Sequence, residues 1–148
     1  MIYITSDHGG FELKQKIIDF LQAEKQEYID LGAQKSDAND DYPDYAQKMA
    51  QELKEGDLGM ALCASGQGIC IALNKFKGIR AAQAWSVESA KRARNDDNAN
   101  VLCLAGMVDN MDNELEIVKA FINTKFNGEE RFTRRLKKIE EIENRITN

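Results

Sequence analysis

The sequence predicts an α/β fold in which five strands form a mostly parallel sheet that helices cover on both faces. Short apolar runs of strand length alternate along the chain with longer amphipathic stretches, and this alternation implies right-handed crossover connections. In addition, 43% of the 148 residues are apolar, which is enough for a core and argues against disorder. Because no linker, repeat or low-complexity segment interrupts the pattern, we place residues 1–148 in a single domain.

The strands are predicted where short apolar runs end at glycine or polar turn residues. In chain order they cover residues 2–4, 28–31, 58–63, 79–83 and 100–104. A polar loop is expected at residues 33–41, with the only proline, Pro43, just beyond it. Helices are predicted where apolar residues recur at helical spacing, with Ser86 as an N-cap. They cover residues 11–21, 45–53, 69–73, 86–94 and 112–122.

The chain after Gly128 is rich in Glu, Lys and Arg and predicts an extended C-terminal helix at about residues 129–147. Its apolar residues form one stripe on an otherwise charged surface. The stripe consists of Phe132, Leu136, Ile139 and Ile142. We expect this helix to have too little apolar surface for a buried element and to pack on a neighbouring subunit.

Composition argues against several classes of partner. The formal net charge of −5 disfavours nucleic acid and anionic membranes, because both attract positively charged proteins. Three cysteines cannot all pair within one chain, and no Cys/His cluster has metal-ligand spacing. The N-terminus lacks the layout of a signal peptide, and no apolar run approaches the length of a transmembrane helix. We therefore expect a cytoplasmic protein with reduced thiols and no bound metal.

The turn after the third strand is the strongest local signal for a functional site. Small residues there allow backbone N–H groups to converge on an anion at the start of a helix. The turn is neither a P-loop nor a GxGxxG fingerprint, and a tight turn needed only for helix–sheet packing is the alternative. Its residues are Ala64, Ser65, Gly66, Gln67 and Gly68.

Cys63 ends the strand directly before this turn. Free backbone amides and the positive end of a helix dipole favour a thiolate at such a position, and a thiolate can act as a general base near neutral pH. The alternative is a small core residue at the end of a strand. Cys70 and Cys103 lie inside predicted elements and are expected in the core.

Asp7 and His8 follow the first strand. Because ligands of parallel sheets bind at the carboxyl ends of the strands, these residues are expected at the same edge as Cys63. The only imidazole of the chain suits proton transfer or a hydrogen bond to a sugar oxygen. Alternatively, Asp7 caps the first helix and His8 has no chemical role.

Arg131 and Arg135 are spaced i,i+4 near the start of the last helix. They therefore lie on one face of the helix and could bind a phosphate together. The alternative is a solvated charged face that pairs with acidic residues further along. Those residues are Glu140, Glu141 and Glu143.

Taken together, these segments resemble the family of ribose-5-phosphate isomerase B and galactose-6-phosphate isomerase. The resemblance runs from residue 2 to about residue 136, and its pieces follow in the family's order and spacing. The matching motifs are SDHGGF at 6–11, IDLG at 29–32, DYPDYA at 41–46, CASGQG at 63–68, ALNK at 72–75, GIRA at 78–81 and NANVL at 98–102.

The resemblance implies a Rossmann-like three-layer subunit in a homodimer or homotetramer, with active sites shared between two subunits and no cofactor. It also implies reversible conversion of an aldose phosphate into a ketose phosphate, by proton transfer between C1 and C2 through an enediolate. Cys63 matches the family's catalytic base. Ser65 and the backbone amides of residues 64–68 match the loop that stabilises the enediolate oxygen.

The resemblance further assigns substrate binding to Asp7 and His8. It assigns phosphate binding to Arg131 and Arg135, provided that one residue is inserted near residues 129–130. The phosphorylated sugar that it implies is most simply ribose 5-phosphate, converted to ribulose 5-phosphate. The alternatives are galactose 6-phosphate or another hexose phosphate, and a non-catalytic paralogue or partner subunit that only binds a sugar phosphate.

Four positions depart from the family's pattern. Asp96 stands where the ribose enzymes have a histidine that helps to open the furanose ring, and Asp97 stands where they usually have asparagine. Met107 replaces a phosphate-binding arginine, and Phe132 replaces a histidine. Asp96 therefore becomes a candidate for ring opening and Asp97 for substrate binding, although a carboxylate near pH 7 is a poor proton donor unless burial raises its pKa.

Overall fold

The computed structural model describes residues 1–108 and 113–146, and its centre is one sheet in which every neighbouring pair of strands is parallel. The strand order is β2-β1-β3-β5-β4. The strands are β1 (Ile2–Ser6), β2 (Tyr28–Asp30), β3 (Leu58–Cys63), β4 (Ala81–Gln83) and β5 (Val101–Ala105). The predicted five-stranded α/β fold is therefore confirmed.

Six α-helices connect and cover these strands, and a short 3₁₀ turn (His8–Gly10) precedes the first of them. The α-helices are α1 (Phe11–Ala23), α2 (Tyr42–Glu52), α3 (Gln67–Leu73), α4 (Val87–Asn95), α5 (Glu114–Asn123) and α6 (Glu130–Ile146). In the described ranges, no helix has the combination of length and apolarity that crossing a membrane requires.

Two apolar cores lie on opposite faces of the sheet, because successive side chains of a strand point to opposite sides. On one face, α1, α4 and α5 pack on residues such as Leu62 and Leu104. On the other face, α2 and α3 pack on residues such as Cys63 and Cys103. All five residues of β1 and of β5 are buried, as expected for a parallel sheet covered on both sides. The result is the three-layer arrangement that the resemblance implies.

Some element boundaries differ from those predicted. Helix α2 begins at Tyr42 rather than Tyr45, because Pro43 lies in its first turn, where a missing N–H leaves no hydrogen bond unmade. Strand β4 begins at Ala81 rather than at residue 79, because the backbone N–H of Arg80 donates to the side chain of Asn100 at 2.7 Å. The predicted N-cap at Ser86 is confirmed, and Ser86 forms a reciprocal capping box with Ser89.

For the last two helices, one predicted end of each lies outside the residues that the structure describes. Asn113 caps α5, while the predicted starting residue Asp112 lies outside the described residues, as does residue 147 of the predicted final helix. On α6, Phe132 is buried against its own chain, whereas Ile139 and Ile142 are 48% and 56% exposed. The apolar stripe is therefore covered only near the start of the helix.

The order of the strands determines where a ligand can bind. The chain leaves β1 for β2 on one side and reaches β3 on the other side, and the connecting helices α1 and α2 lie on opposite faces. The loops after β1 and β3 lead to helices on opposite faces, α1 and α3, so the switch point at which sheets of this kind bind ligands lies between the carboxyl ends of these two strands. We refer to this position as the crevice. Asp7, His8 and Cys63 lie at this edge.

Glycines allow the loops at this edge to touch. A Cβ atom on Gly9 would lie 2.6 Å from the backbone nitrogen of Ala64, and one on Gly10 would lie 2.5 Å from Cβ of Leu62. A Cβ atom on Gly106 would collide with the carbonyl oxygen of Gly9. The segments that follow β1, β3 and β5 are thus packed backbone to backbone.

Replacing Gly10 by Ala is expected to lower the free energy of unfolding by about 2–3 kcal/mol through overpacking. The φ of Gly10 is −104°, a value that alanine adopts freely, so the loss reports the packing alone. Urea denaturation followed by circular dichroism measures it. As a control, Gly128→Ala places its Cβ in open space at φ +75° and should cost only about 1 kcal/mol of backbone strain. Equal losses in the two variants would contradict the close contact.

Candidate active site

Cys63 is the last residue of β3, and only 4% of its surface is exposed. Its carbonyl oxygen accepts a hydrogen bond from the backbone N–H of Gly106 at 2.9 Å, and the carbonyl oxygen of Ala64 accepts one from Met107 at 3.0 Å. The segment that follows β5 therefore fixes the backbone on which the thiol is mounted.

The turn from Ala64 to Gly68 is shaped by a left-handed residue and by two side-chain contacts. Gly66 has φ +73°, a conformation that favours glycine. The hydroxyl oxygen of Ser65 accepts a hydrogen bond from the backbone N–H of Gln67 at 3.3 Å. From β4, the side-chain amide of Gln83 donates to the carbonyl oxygen of Ser65 at 2.6 Å. Gln83 was not among the predicted site residues. Its position as a polar residue at the carboxyl end of a strand could have indicated a role at this edge.

Asp7 is 5% exposed and caps the 3₁₀ turn: its Oδ1 accepts a hydrogen bond from the backbone N–H of Gly10 at 3.2 Å. The alternative considered for this residue was a cap of the first helix, but Asp7 caps the 3₁₀ turn instead and Gly10 is the N-cap of α1. Burial raises the pKa of Asp7 above its ordinary value, although hydrogen bonds from the backbone of Gly10 and Gly9 and the charge of His8 act in the opposite direction.

His8 contacts a carboxylate that the sequence analysis did not single out. Its Nδ1 lies 2.6 Å from Oδ1 of Asp40, which also accepts a hydrogen bond from the backbone N–H of His8 at 3.1 Å. The other carboxylate oxygen of Asp40 accepts a hydrogen bond from the hydroxyl of Tyr45 at 3.0 Å. His8 therefore belongs to a Tyr45–Asp40–His8 network rather than standing alone.

The protonation equilibria of the network follow from these contacts. The hydrogen bond to Asp40 raises the pKa of His8 above its usual value. Partial burial acts to raise the pKa of Asp40, but hydrogen bonds from His8 and Tyr45 outweigh it and hold that pKa low. Burial and the bond to Asp40 raise the pKa of Tyr45 to about 12. The network is thus organised around an ionised Asp40 that stabilises a cationic imidazole.

The ligand atoms of Asp7, His8 and Asp40 lie within 4.8 Å of one another, which is a spacing that could hold a metal ion. However, Nδ1 of His8 and Oδ1 of Asp40 already contact each other at hydrogen-bonding distance. We interpret His8 and Asp40 as a hydrogen-bonded acid–base pair with Asp7 close to it.

The remaining candidate residues form a second group. Asp96, Arg131 and Arg135 line one cavity of about 520 Å³, together with Phe132. The guanidinium groups of the two arginines lie 4.4 and 5.9 Å from the centre of the Phe132 ring, so they flank the same aromatic side chain. Arg131 also forms an ion pair with Glu129 at 3.0 Å. The i,i+4 spacing thus brings the arginines together beside Asp96.

Asp97 is electrostatically linked to this second group. Burial and the neighbouring charge of Asp96 raise the pKa of Asp97, while the charge of Arg135 lowers it. Met107, in contrast, lies at the carboxyl edge after β5, and 67% of its surface is exposed.

The two groups lie at opposite edges of the sheet. Helix α4 leaves the carboxyl end of β4 and returns to the amino end of β5, so Asp96, its C-cap, lies at the amino-terminal edge. Cys63 ends β3 at the carboxyl-terminal edge. Among the described residues that line the cavity of Asp96, none belongs to the carboxyl-edge group. A single chain therefore does not bring all predicted site residues into one place.

Comparisons with known proteins identify relatives along nearly the whole chain. Residues 2–139 match the family model described as Ribose/Galactose Isomerase. Ribose-5-phosphate isomerase B of Mycobacterium tuberculosis is 40% identical over 144 residues, which cover 96% of this chain and 89% of that protein. The probable ribose-5-phosphate isomerase B of Mycoplasma genitalium is 43% identical over 141 residues, covering 93% and 92% of the two chains.

Solved structures give the same result. Ribose-5-phosphate isomerase B of Clostridium thermocellum superimposes with a TM-score of 0.92 at 41% identity, covering 98% of each chain. The enzyme of Mycoplasma genitalium with bound ribulose-5-phosphate gives a TM-score of 0.86 at 41% identity, covering 97% of this chain and 95% of that chain. With this fold, this edge geometry and these relatives, the chain belongs to the ribose/galactose isomerase family.

Proposed function

We propose that this protein is an aldose–ketose isomerase that interconverts ribose 5-phosphate and ribulose 5-phosphate. The observation that carries the proposal is the similarity to the Mycoplasma genitalium structure with bound ribulose-5-phosphate, which extends over 97% of this chain. The Cys63 turn supports it, since Cys63 and the left-handed Gly66 lie at the carboxyl edge of the sheet, the edge at which parallel sheets bind ligands.

In the proposed reaction, the thiolate of Cys63 removes the C2 proton of the open-chain aldose. The electron pair of that C–H bond forms the C1–C2 double bond of an enediolate, and O1 takes up the negative charge. Ser65 and the backbone amides of residues 64–68 stabilise this charge where it develops. The proton of the O2 hydroxyl then moves to O1, which leaves the charge on O2. As O2 forms the C2=O2 bond, the electron pair of the C1–C2 double bond takes the proton from the Cys63 thiol at C1, and the ketose results.

We further propose that each active site is built from two copies of the chain. Asp96, Asp97, Arg131 and Arg135 lie near the amino-terminal edge of their own subunit, while Cys63 lies at the opposite edge. A second copy would supply the arginines for the substrate phosphate. The exposed Ile139 and Ile142 of α6 support packing against a neighbour in a homodimer or homotetramer.

The free cysteines suit a reducing compartment such as the cytoplasm.

Purified protein is expected to convert ribose 5-phosphate with a higher kcat/KM than galactose 6-phosphate or allose 6-phosphate, measured by a coupled ketose assay.

Cys63→Ser should lower kcat for ribose 5-phosphate by at least about 10²-fold, because a hydroxyl is a far weaker base than a thiolate. Circular dichroism should show an unchanged fold.

Cys70→Ser is the matched control. Cys70 is a half-buried thiol of α3 that donates to the carbonyl oxygen of Ala81 at 3.4 Å, and serine retains that donor. This variant should keep wild-type activity. Absence of turnover of any of the three sugars by the wild type would refute the proposed function, while full activity of Cys63→Ser would refute the assigned base.

Mixing two inactive variants tests the shared site. If Cys63 and Arg135 act from different subunits, co-expressed Cys63→Ala and Arg135→Ala chains should regain about a quarter of wild-type activity. Each site then has an even chance of receiving an intact Cys63 and an even chance of receiving an intact Arg135. Each variant alone should stay inactive, and a mixture without activity would place both residues in one subunit.

A further inference from the structure

His8 is the only histidine of the chain, and its ring is held in one orientation. Oδ1 of Asp40 contacts both Nδ1 and the backbone N–H of His8. Because a carboxylate at Nδ1 keeps the proton on that nitrogen, Nε2 is the basic position of the neutral ring. The His8 side chain is 33% exposed, so a ligand in the crevice can reach it.

A second side chain besides His8 holds Asp40, and the start of its loop is anchored separately. The hydroxyl of Tyr45 on α2 donates to its Oδ2 at 3.0 Å. The loop that carries Asp40 leaves β2 over the fully buried Lys14, whose ammonium group contacts Oδ2 of Asp30 at 2.6 Å and the carbonyl oxygen of Ala33 at 2.8 Å. An imidazole with one nitrogen on a fixed carboxylate is an arrangement suited to proton transfer at the other nitrogen.

The segment that carries His8 packs against the segment that follows the proposed base. The next residue, Gly9, packs so tightly on Ala64 that a Cβ atom on Gly9 would lie 2.6 Å from the Ala64 nitrogen, and Ala64 directly follows Cys63. Asp96, the candidate for ring opening from the sequence, lies at the other edge of its own subunit and would reach the crevice only from the second copy proposed above. A neutral imidazole is better suited than a carboxylate to exchange a proton with a sugar hydroxyl near neutral pH.

The proposed isomerisation needs such a group. An aldopentose 5-phosphate is mainly a closed furanose, and its C2 proton becomes acidic only when C1 is a free aldehyde. Opening the ring requires that the C1 hydroxyl lose a proton and that the ring oxygen O4 gain one.

We propose that His8 opens the sugar ring and that Asp40 is its positioning residue. This inference rests on the proposed function. Nε2 of neutral His8 takes the proton of the C1 hydroxyl; the O–H electron pair forms the C1=O1 bond as the C1–O4 bond breaks. The imidazolium then returns the same proton to O4. Asp40 stabilises the imidazolium between the two transfers, and the step requires no other reactant.

The test compares two substrates in matched variants. 4-Deoxyribose 5-phosphate lacks the hydroxyl that closes the furanose ring and always presents a free aldehyde. Asp40→Asn should lower kcat/KM for ribose 5-phosphate by about 10–100-fold, while kcat/KM for the 4-deoxy sugar changes by less than about twofold. Tyr45→Phe should give a smaller loss with the same selectivity.

Asp37→Asn is the control, because it removes the same charge from the same loop. The Asp37 carboxylate accepts a hydrogen bond from the backbone of Asn39, and its charge acts on His8 more weakly than Asp40 does. This variant should leave both substrates nearly unaffected. Equal losses on both substrates in Asp40→Asn, or a selective loss on ribose 5-phosphate in Asp96→Asn alone, would overturn the inference.

Proton NMR provides a second readout, because a single histidine gives a single set of imidazole signals. The hydrogen bond to Asp40 raises the pKa of His8 above 6.5, and the charges of Asp7 and Asp37 add to it. Asp40→Asn should therefore move the titration midpoint down towards 6.5. An unchanged midpoint would contradict the positioning role. A wild-type protein that converts neither aldose would refute the proposed function and this inference with it.

Discussion

The close packing of three backbone segments at the carboxyl edge is the constraint on which the rest of the site depends. Gly9, Gly10 and Gly106 have no side chains where the loops after β1, β3 and β5 meet. Hydrogen bonds from Gly106 and Met107 to the carbonyl oxygens of residues 63 and 64 then join the last two loops. As a result, Cys63 at the end of the middle strand and His8 after the neighbouring strand lie at the same edge of the sheet.

The same topology explains why the predicted site residues form two separate groups in one chain. A helix between parallel strands returns to the amino-terminal edge, so residues at its C-terminus, such as Asp96, are carried away from the crevice. Arg131 and Arg135 lie beside Asp96, where both guanidinium groups contact the ring of the buried Phe132. The proposed base and the arginines proposed to bind phosphate thus lie at opposite edges of one chain, and the proposed assembly of two copies would bring them together.

Much of the fold was predictable because its signals are local. The strand at residues 58–63 was predicted with its observed bounds, since an apolar run ends at a glycine-rich turn. The start of α2 was misplaced because Pro43 was taken to lie outside the helix, although proline is well suited to a first turn. The start of β4 depended on Asn100, a side chain 20 positions away in sequence.

The site was predictable only in part. Small residues identified the Cys63 turn, and strand order identified the edge that it shares with His8. Asp40 was not predicted as a site residue, because its partner His8 is 32 positions away in sequence and lies in another loop. The separation of Asp96 from Cys63 within one chain follows from the direction of α4, and it is compatible with the sites shared between two subunits that the resemblance implies.

Isotope exchange tests the central claim, that Cys63 removes a carbon-bound proton at this edge, most directly. Ribulose 5-phosphate is already an open-chain sugar, so its exchange in D₂O reports enediolate formation without ring opening. The account predicts that the wild type introduces deuterium at C1, observed by NMR, and that Cys63→Ser does so at least about 10²-fold more slowly. Exchange at the wild-type rate in Cys63→Ser would contradict it.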